Sequence, residues 1–534
     1  MAHLQRWVQS QPDRTAIRVI GPNAPDAASL SDGEQRDGAQ PEWRTEQAVT
    51  FAELDRRATR AAHWLISVGL QPGDGIAVLL ENRSELIELF FAARRAGLYF
   101  TPMSVHLAPA EVAYILSDSG AKLLVTSRAM AGLAASLGAP PALGQRCFML
   151  DGTAPGFHPL EEALARASDG PLPELPLGRD MLYSSGTTGH PKAIRRGLIP
   201  YANRLDIPPS TQALRDAFGF SADMLYLSPG PLYHAAPLAY VTRALEAGGG
   251  AVIMRRFDAA AALGAIEQYR VTHSQWVPTM FVRLLALPEQ IRNRHDLSSQ
   301  RFAIHAAAPC PPEIKRRMIE WWGPVIYEYY AGSEGVGTTA IDSADWLAHP
   351  GSVGRPIHGT PHILDDEGRE LGPGEIGRIF FSGGVPFEYH NAPDKTAASR
   401  DAQGRMTYGD LGHLDSEGYL YLSGRRADLI LSGGVNIYPQ EIENVLATHP
   451  AVADVAVIGV PNAEYGEEVK ALVQLVGGRR AGATPAAGPE LAADIIAFCR
   501  ARLSHVKCPR SVEFVDALPR LENGKLLKRL LKQR

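Results

Sequence analysis

Cysteine is scarce in this chain of 534 residues: Cys147, Cys310, Cys499 and Cys508 lie far apart, with no C-x-x-C pair and no Cys/His cluster at zinc spacing. That spacing argues against a disulfide framework or a structural zinc site and predicts isolated thiols in a reducing compartment. Long hydrophobic runs are missing too. Nowhere do 18 apolar residues follow one another, and MAHLQRWVQSQPDR has no apolar stretch like that of a signal peptide, so a cytoplasmic protein without a transmembrane segment is expected. An excess of one charge is also absent: the formal net charge is −5, and no basic run of any length occurs, the terminal KLLKRLLKQR being short and leucine-spaced. Nucleic acid is therefore not an expected partner. The terminal cluster reads as an amphipathic helix, with Lys528 and Lys532 as solvated lysines on its polar side.

The length suggests two to four domains, and 45% of the residues are hydrophobic. Gly21 to Glu46, rich in Pro, Ala, Asp and Gly, reads as an exposed loop inserted between strands. After it, helix and strand patterns alternate. Thr50 to Val68 opens on an N-cap with Glu53 at capping-box spacing; GIAVLL (Gly75 to Leu80) and KLLVT (Lys122 to Thr126) read as strands, with a helix over Ser84 to Ala96 between them. AVIMRRF and the helix Ala259 to Tyr269 repeat the pattern. Such alternation predicts parallel sheets with helices on both faces. GRIFFS (Gly377 to Ser382) and GYLYL (Gly418 to Leu422), set between Gly- and Asp-rich turns, predict antiparallel strands of a small barrel-like sheet. Beyond Arg425 the pattern starts afresh, with a helix from Pro439, strands at Val452 to Val460 and Glu468 to Val476, and a helix over Leu491 to Leu503. The expected architecture is an α/β protein with a large N-terminal domain, residues 1–424, and a small mobile α+β C-terminal domain, residues 425–534.

The segment YSSGTTGHPK, Tyr183 to Lys192, combines two glycines, four hydroxyl side chains and one lysine. Gly186 and Gly189 let successive N–H groups point into one concavity, Ser184, Ser185, Thr187 and Thr188 add hydroxyl donors, and Lys192 adds a charge. A triphosphate matches that set. The segment does not fit G-x-x-x-x-G-K-[ST], because Lys192 lies three residues after Gly189 and behind a proline. It resembles instead the phosphate loop of the adenylate-forming superfamily: acyl-CoA synthetases, aryl-CoA ligases, luciferases and adenylation domains of peptide synthetases.

Four further segments carry the same resemblance in the same order. YAGSE, Tyr330 to Glu334, is similar to the family's aromatic–Gly–x–Thr–Glu segment, which implies adenine stacking on Tyr330, a phosphate contact from Ser333 and Mg²⁺ at Glu334, shared with Thr187. Ala331 stands where the family usually has glycine. HAAAPCP resembles the small-residue strand end along the purine, with Ala307 and Ala308. YGDL followed by GYLYLSGR matches the ribose-binding pattern of an aspartate and an arginine, here Asp410 and Arg425. SGGVN resembles the mobile loop of the second half-reaction, with Gly433 and Gly434 beside the pantetheine tunnel. ENGK places Lys525 after a turn, and the resemblance makes it the lysine that stabilises charge during adenylation. The family hinge falls at Ala427, where relatives usually carry Asp or Lys. PLYHAAP resembles the mouth of the acyl pocket, with His234 as its gate, and Gly332 and Ala331 would line the same pocket.

The resemblance implies an AMP-forming acyl-CoA ligase that uses ATP, Mg²⁺ and coenzyme A. A carrier domain is not expected after Lys525, and free coenzyme A is the expected acceptor. The small, uncharged residues implied for the acyl wall favour a hydrophobic acid: fatty, alicyclic or steroidal, or aryl. Two alternatives stand beside this reading: an enzyme that loads a stand-alone carrier protein, and a catalytically silent binding protein of the same fold.

Overall fold

The computed structural model describes residues 2–22, 43–137, 143–184, 191–476, 487–521 and 524–532. These form two compact units. The first comprises Met1–Trp276, Leu287–Ala303 and Phe387–Thr396; the second comprises Val277–Ala286, Ile304–Pro386 and Ala397–Arg534.

The first unit holds the parallel sheets. One runs in the order His158–Pro159, Cys147–Leu150, Ala121–Ser127, Gly75–Leu79, Tyr99–Pro102 and Arg179–Asp180, parallel at every pairing. Its central strand, Gly75–Leu79, is buried at all five positions, as a strand covered on both faces must be. A second set runs His273–Trp276, Leu225–Ser228, Gly250–Met254, Thr15–Pro22 and Trp43–Thr50. Only its last pairing is antiparallel.

That last strand corrects the expected loop. Residues 43–46 pair with the strand Thr15–Pro22, while 23–42 lie outside the described residues. WRTEQAVT escaped notice because it is an edge strand whose alternate positions face water. The helix Phe51–Ser67 begins as expected, with Thr50 Oγ1 accepting from the Glu53 amide at 3.2 Å. Glu53 does not close a capping box; its carboxylate pairs with Arg57 one turn on.

The second unit contains an antiparallel run in the order Thr360–Leu364, Gly377–Ser382, Asp410–Leu414, Leu420–Arg425, Ser352–His358, Thr338–Ile341 and Ile326–Tyr330. It also contains a sheet built from the last hundred residues. There Val452–Asn462 and Gly466–Leu475 form a long antiparallel pair, and Gly466–Leu475 also pairs in parallel with Ser511–Val515 and, at Gly466, with the hairpin Ile430–Ser432/Val435–Ile437. Helices Pro439–Leu446 and Pro489–Arg500 bury Ile442, Leu446, Ile495 and Cys499 in the core of this sheet.

The basic end departs from expectation. Its helix is one turn, Lys528–Leu531, and Lys528 is not solvated: Nζ stands 2.7 Å from Glu443 and donates to the Val457 carbonyl at 3.1 Å. A nearly buried carboxylate on a neighbouring helix has turned a tail lysine into a structural one. Lys532 stays exposed and reaches the Ala427 carbonyl. No helix among the described residues is long and apolar enough to cross a membrane.

Candidate active site

In the second unit, the β-ladder itself assembles a charged cluster. Asp410 opens one strand and Arg425 closes the next, and the two are cross-strand partners. Residues directly opposite on an antiparallel pair have neighbouring side chains, and here Arg425 Nε lies 3.3 Å from Asp410 Oδ1. From the strand Ile326–Tyr330, the Tyr330 hydroxyl donates to Asp410 Oδ2 at 2.6 Å. Burial pushes the Asp410 carboxyl up; Arg425 and Tyr330 oppose that rise, and Glu334 adds to it.

Lys525 faces the same cluster. Burial, then Arg425, bring its ammonium down to about 8, against the upward pull of Glu334, Asp410 and Asp428. Gly524 makes this placement possible. Its φ is +77°, and a Cβ there would come within 3.1 Å of Thr279 Oγ1. The turn before Lys525 therefore needs glycine both for its left-handed backbone and for its close packing. Thus Tyr330, Glu334, Asp410, Arg425 and Lys525, taken from four separate stretches of sequence, share one electrostatic neighbourhood.

Tyr408 was quoted in the sequence motif but given no role. Its hydroxyl accepts from the amides of Val336 at 3.1 Å and Gly337 at 3.2 Å and donates to the Gly337 carbonyl at 2.8 Å. Its ring stands edge-on to Tyr330 at 5.5 Å. It also fills the space a side chain at Gly332 would need: a Cβ there would meet the Tyr408 ring at 2.4 Å and Glu334 Oε2 at 2.6 Å. Gly332 thus leaves Glu334 and Tyr408 their positions, and Ser333, between Gly332 and Glu334 in sequence, is half-buried. Ala331 is likewise half-buried. No sequence signal beyond the aromatic itself marked Tyr408, since its partners lie some seventy residues upstream.

Ala306 is buried, Ala307 exposed and Ala308 half-buried at the end of the strand Phe302–His305. Ala307 sits at φ +75°, a left-handed conformation uncommon for any residue with a Cβ. Gly433 and Gly434 form the two-residue loop of the hairpin Ile430–Ile437, at φ +56° and +79°, as a tight hairpin with two positive φ values demands. Both are exposed. Ala427 lies in a single helical turn, Arg426–Asp428.

The remaining predicted residues belong to the first unit. Of the phosphate-loop candidates, Ser185, Gly186, Thr187, Thr188 and Gly189 lie outside the described residues. The strands that frame them are described: Ser184 pairs with Lys192 and Tyr183 with Ala193. The Lys192 ammonium lies 4.9 Å from the centre of the Tyr389 ring, and Tyr183 donates to Asp118 at 2.7 Å. His234 caps the helix Ala235–Glu246 with its backbone, its ring edge-on to Tyr233 at 4.9 Å. Burial, then the neighbouring His106, bring its imidazole down to about 4, so it is neutral at physiological pH. The turn before it is tied by buried Asn82, whose amide group donates to the carbonyls of Gly230 and Met254 and accepts from the Leu232 amide at 2.7 Å. Asn82 is a second residue that sequence reasoning passed over.

The described donors suit a nucleotide and its cation. A carboxylate at the end of a ladder with its lone pairs directed by two partners suits vicinal hydroxyls, and Glu334 in a cradle that a single Cβ would fill offers oxygen to a hard cation. Comparison with known proteins identifies the family. Residues 4–390 match the AMP-binding enzymes and residues 441–525 their C-terminal domain. The chain is 35% identical to a feruloyl-CoA synthase of Amycolatopsis sp over 91% of its own length and 94% of that protein's. It is 32% identical to the long-chain-fatty-acid–CoA ligase FadD13 of Mycobacterium tuberculosis, over 92% and 93% of the two chains. Among solved structures, ATP-bound MatB from Rhodopseudomonas palustris superposes with a TM-score of 0.78 at 29% identity, covering 99% of this chain and 98% of that one. MenE from Bacillus subtilis, in complex with ATP and magnesium ion, gives 0.77 at 26% identity, with 99% of each chain covered. The chain belongs to the AMP-binding, adenylate-forming enzymes, as an ATP-dependent acid–thiol ligase of the acyl- and aryl-CoA ligase kind.

Proposed function

We propose that this ligase activates a hydrophobic carboxylic acid, of fatty, alicyclic or steroidal, or aryl type, and passes the acyl group to free coenzyme A in the cytoplasm. A carboxylate oxygen attacks the α-phosphorus of ATP, the α–β anhydride bond breaks, and pyrophosphate leaves. The thiolate of coenzyme A then attacks the acyl carbonyl of the adenylate, and AMP leaves. The observation that carries this reading is the convergence of Lys525 on Asp410, Arg425 and Glu334 within one unit.

In this reading Asp410 and Arg425 hold the ribose, Tyr330 stacks on adenine beside Ala307, and Ser333 and the loop from Ser184 to Lys192 contact the phosphates. Lys525 offsets the repulsion between carboxylate and polyphosphate. Glu334 and Thr187 would hold Mg²⁺, which supplies positive charge to the phosphates when bound. His234, held neutral, serves as the gate for the acid, and Ala308, Ala331 and Gly332 line the acyl wall. The stretch 425–534 acts as a mobile domain hinged at Ala427, and Gly433 and Gly434 serve the second half-reaction.

Support for a hydrophobic acid comes from the small uncharged residues on the implied wall and from relatives named for feruloyl, long-chain fatty and indoleacetate substrates. The test is pyrophosphate release across short, medium and long fatty acids, cinnamates, benzoates and sterol acids, followed by detection of the thioester. Activity confined to acids of four carbons or fewer would overturn the hydrophobic assignment. A relative 31% identical, ScoC of Streptomyces coeruleorubidus, is a fatty acid–[acyl-carrier-protein] ligase, which favours a carrier acceptor as the second reading. Transfer to a pantetheinylated carrier but not to coenzyme A would select it.

A further inference from the structure

Beneath the strand end that carries Ala307 lies a charged cluster that the reaction does not use. Lys315, on the helix Pro312–Trp322, and Glu328, on the strand Ile326–Tyr330, are both buried, with Nζ 2.7 Å from Glu328 Oε2. The Lys315 ammonium also lies 4.8 Å from the centre of the Trp346 ring. His305, wholly buried, places Nε2 at 3.6 Å from the same carboxylate oxygen, and neither of its ring nitrogens has a hydrogen-bond partner. Its ring packs edge-on against Phe281 at 5.3 Å. Burial, with Lys315 nearby, drives the imidazole well below its usual range, so His305 is a neutral wedge in the cluster.

The chain order gives this cluster a consequence. His305 ends one strand, Lys315 sits on the first turns of the following helix, and the segment 306–311 between them includes Ala307 at φ +75°. Glu328 meets both flanks of that segment and stands two residues before Tyr330, whose hydroxyl reaches Asp410. A carboxylate ion-paired to one end of a strained connection and packed against the neutral His305 at the other limits the distance between them. A backbone conformation of this kind persists only where its surroundings over-determine it.

We propose that Lys315 and Glu328, with His305 beside them, are positioning residues for adenylation: their buried ion pair holds Ala307 in its left-handed conformation and keeps the Ala306–Pro309 segment in register with Tyr330. The inference rests on the reading of Ala307 and Tyr330 as the nucleotide wall. Removing one partner strands a buried charge, whereas replacing both with apolar residues of similar size spares folding. The informative variant is therefore Lys315→Met combined with Glu328→Leu.

This double variant is expected to unfold with the same cooperativity as the parent. Its kcat/KM for ATP in pyrophosphate release should fall about tenfold or more. Thioester formation from a supplied acyl-adenylate should stay within about twofold. Adding Ala307→Gly to the double variant should restore part of the lost adenylation, because glycine adopts that φ without a clamp. Equal loss of both half-reactions, or no gain from Ala307→Gly, would overturn the proposal; so would unaltered adenylation in the double variant. Asp410→Ala in the parent reports on the underlying reading separately: if it leaves adenylation untouched, the nucleotide-wall assignment fails whatever the clamp does.

Discussion

The Tyr330 hydroxyl and the Asp410 carboxylate, 80 residues apart in sequence, are joined by a hydrogen bond of 2.6 Å. With Arg425 on the other oxygen, the protein itself aims the carboxylate before any ligand arrives. Asp410→Ala removes a charged acceptor and is expected to weaken ATP binding by about 2–3 kcal/mol, a loss of roughly 30- to 160-fold. Tyr330→Phe keeps the ring and removes only the aiming bond, so its effect on the KM for ATP should be well below that of Asp410→Ala. Steady-state kinetics with ATP varied distinguishes the two; equal losses would make Tyr330, not Asp410, the ribose contact.

Lys525 gives the enzyme a pH limit. Its ammonium titrates near 8 in the folded protein against 10.5 for an ordinary lysine. Adenylation should therefore decline as pH rises through about 8, while the half-reaction from supplied acyl-adenylate does not. Lys525→Arg keeps its charge and should move that decline to higher pH even as the rate falls. Stability runs the other way: between about pH 8 and 10.5 the unfolded chain binds the extra proton, so this group makes unfolding harder as pH rises across that window. A pH–rate profile with the same descending limb in both proteins would remove Lys525 from the chemistry.

Lys528 and Lys532 are four residues apart on the same basic end and should behave differently. Lys528→Met leaves Glu443 nearly buried and uncompensated, a change expected to cost about 3 kcal/mol. Lys532→Ala, at an exposed site, should stay within about 0.5 kcal/mol. Urea unfolding followed through C-terminal fluorescence probes, with adenylation assayed alongside, compares them; equal midpoints for the two variants would show that the Glu443 pair contributes nothing.

Gly332→Ala inserts a Cβ 2.4 Å from the Tyr408 ring. Because Tyr408 is held by three backbone groups, the expected relief is displacement of Glu334, with a higher magnesium requirement for pyrophosphate release. Gly433→Ala, in contrast, strains a left-handed residue in the exposed hairpin and crowds the Tyr465 ring at 3.2 Å. It should slow thioester formation while adenylation persists. A magnesium titration and the two half-reaction assays test the pair; unchanged magnesium dependence in Gly332→Ala would place Glu334 away from the cation.

Much of this was legible in the residues because it is local. The N-cap at Thr50 and the buried run GIAVL follow from periodicity and spacing over a few residues, whereas Asp410 and Arg425 are marked by the family resemblance and their ladder pairing emerges only in the structure. What escaped depends on partners that no local pattern announces. Lys528 read as a tail lysine because Glu443 lies 85 residues earlier. Lys315 is buried on its helix, where its charge is explained by Glu328 on a separate strand and by the Trp346 ring. Tyr408 and Asn82 satisfy backbone groups far off in sequence, and the strand Trp43–Thr50 hid behind the charged pattern of a sheet edge.

The four cysteines bear on how the enzyme can be followed. Cys147, Cys499 and Cys508 are buried and Cys310 is half-buried. Burial pushes the thiols of Cys147 and Cys310 up, and takes Cys499 to about 12. A thiol reagent attacks thiolate, and at neutral pH these three sulfurs carry almost none. The sulfhydryl of coenzyme A is then the fast-reacting one in the mixture. Its disappearance during turnover can be read with a chromogenic disulfide in samples quenched without denaturing the protein, with little background from the folded enzyme itself.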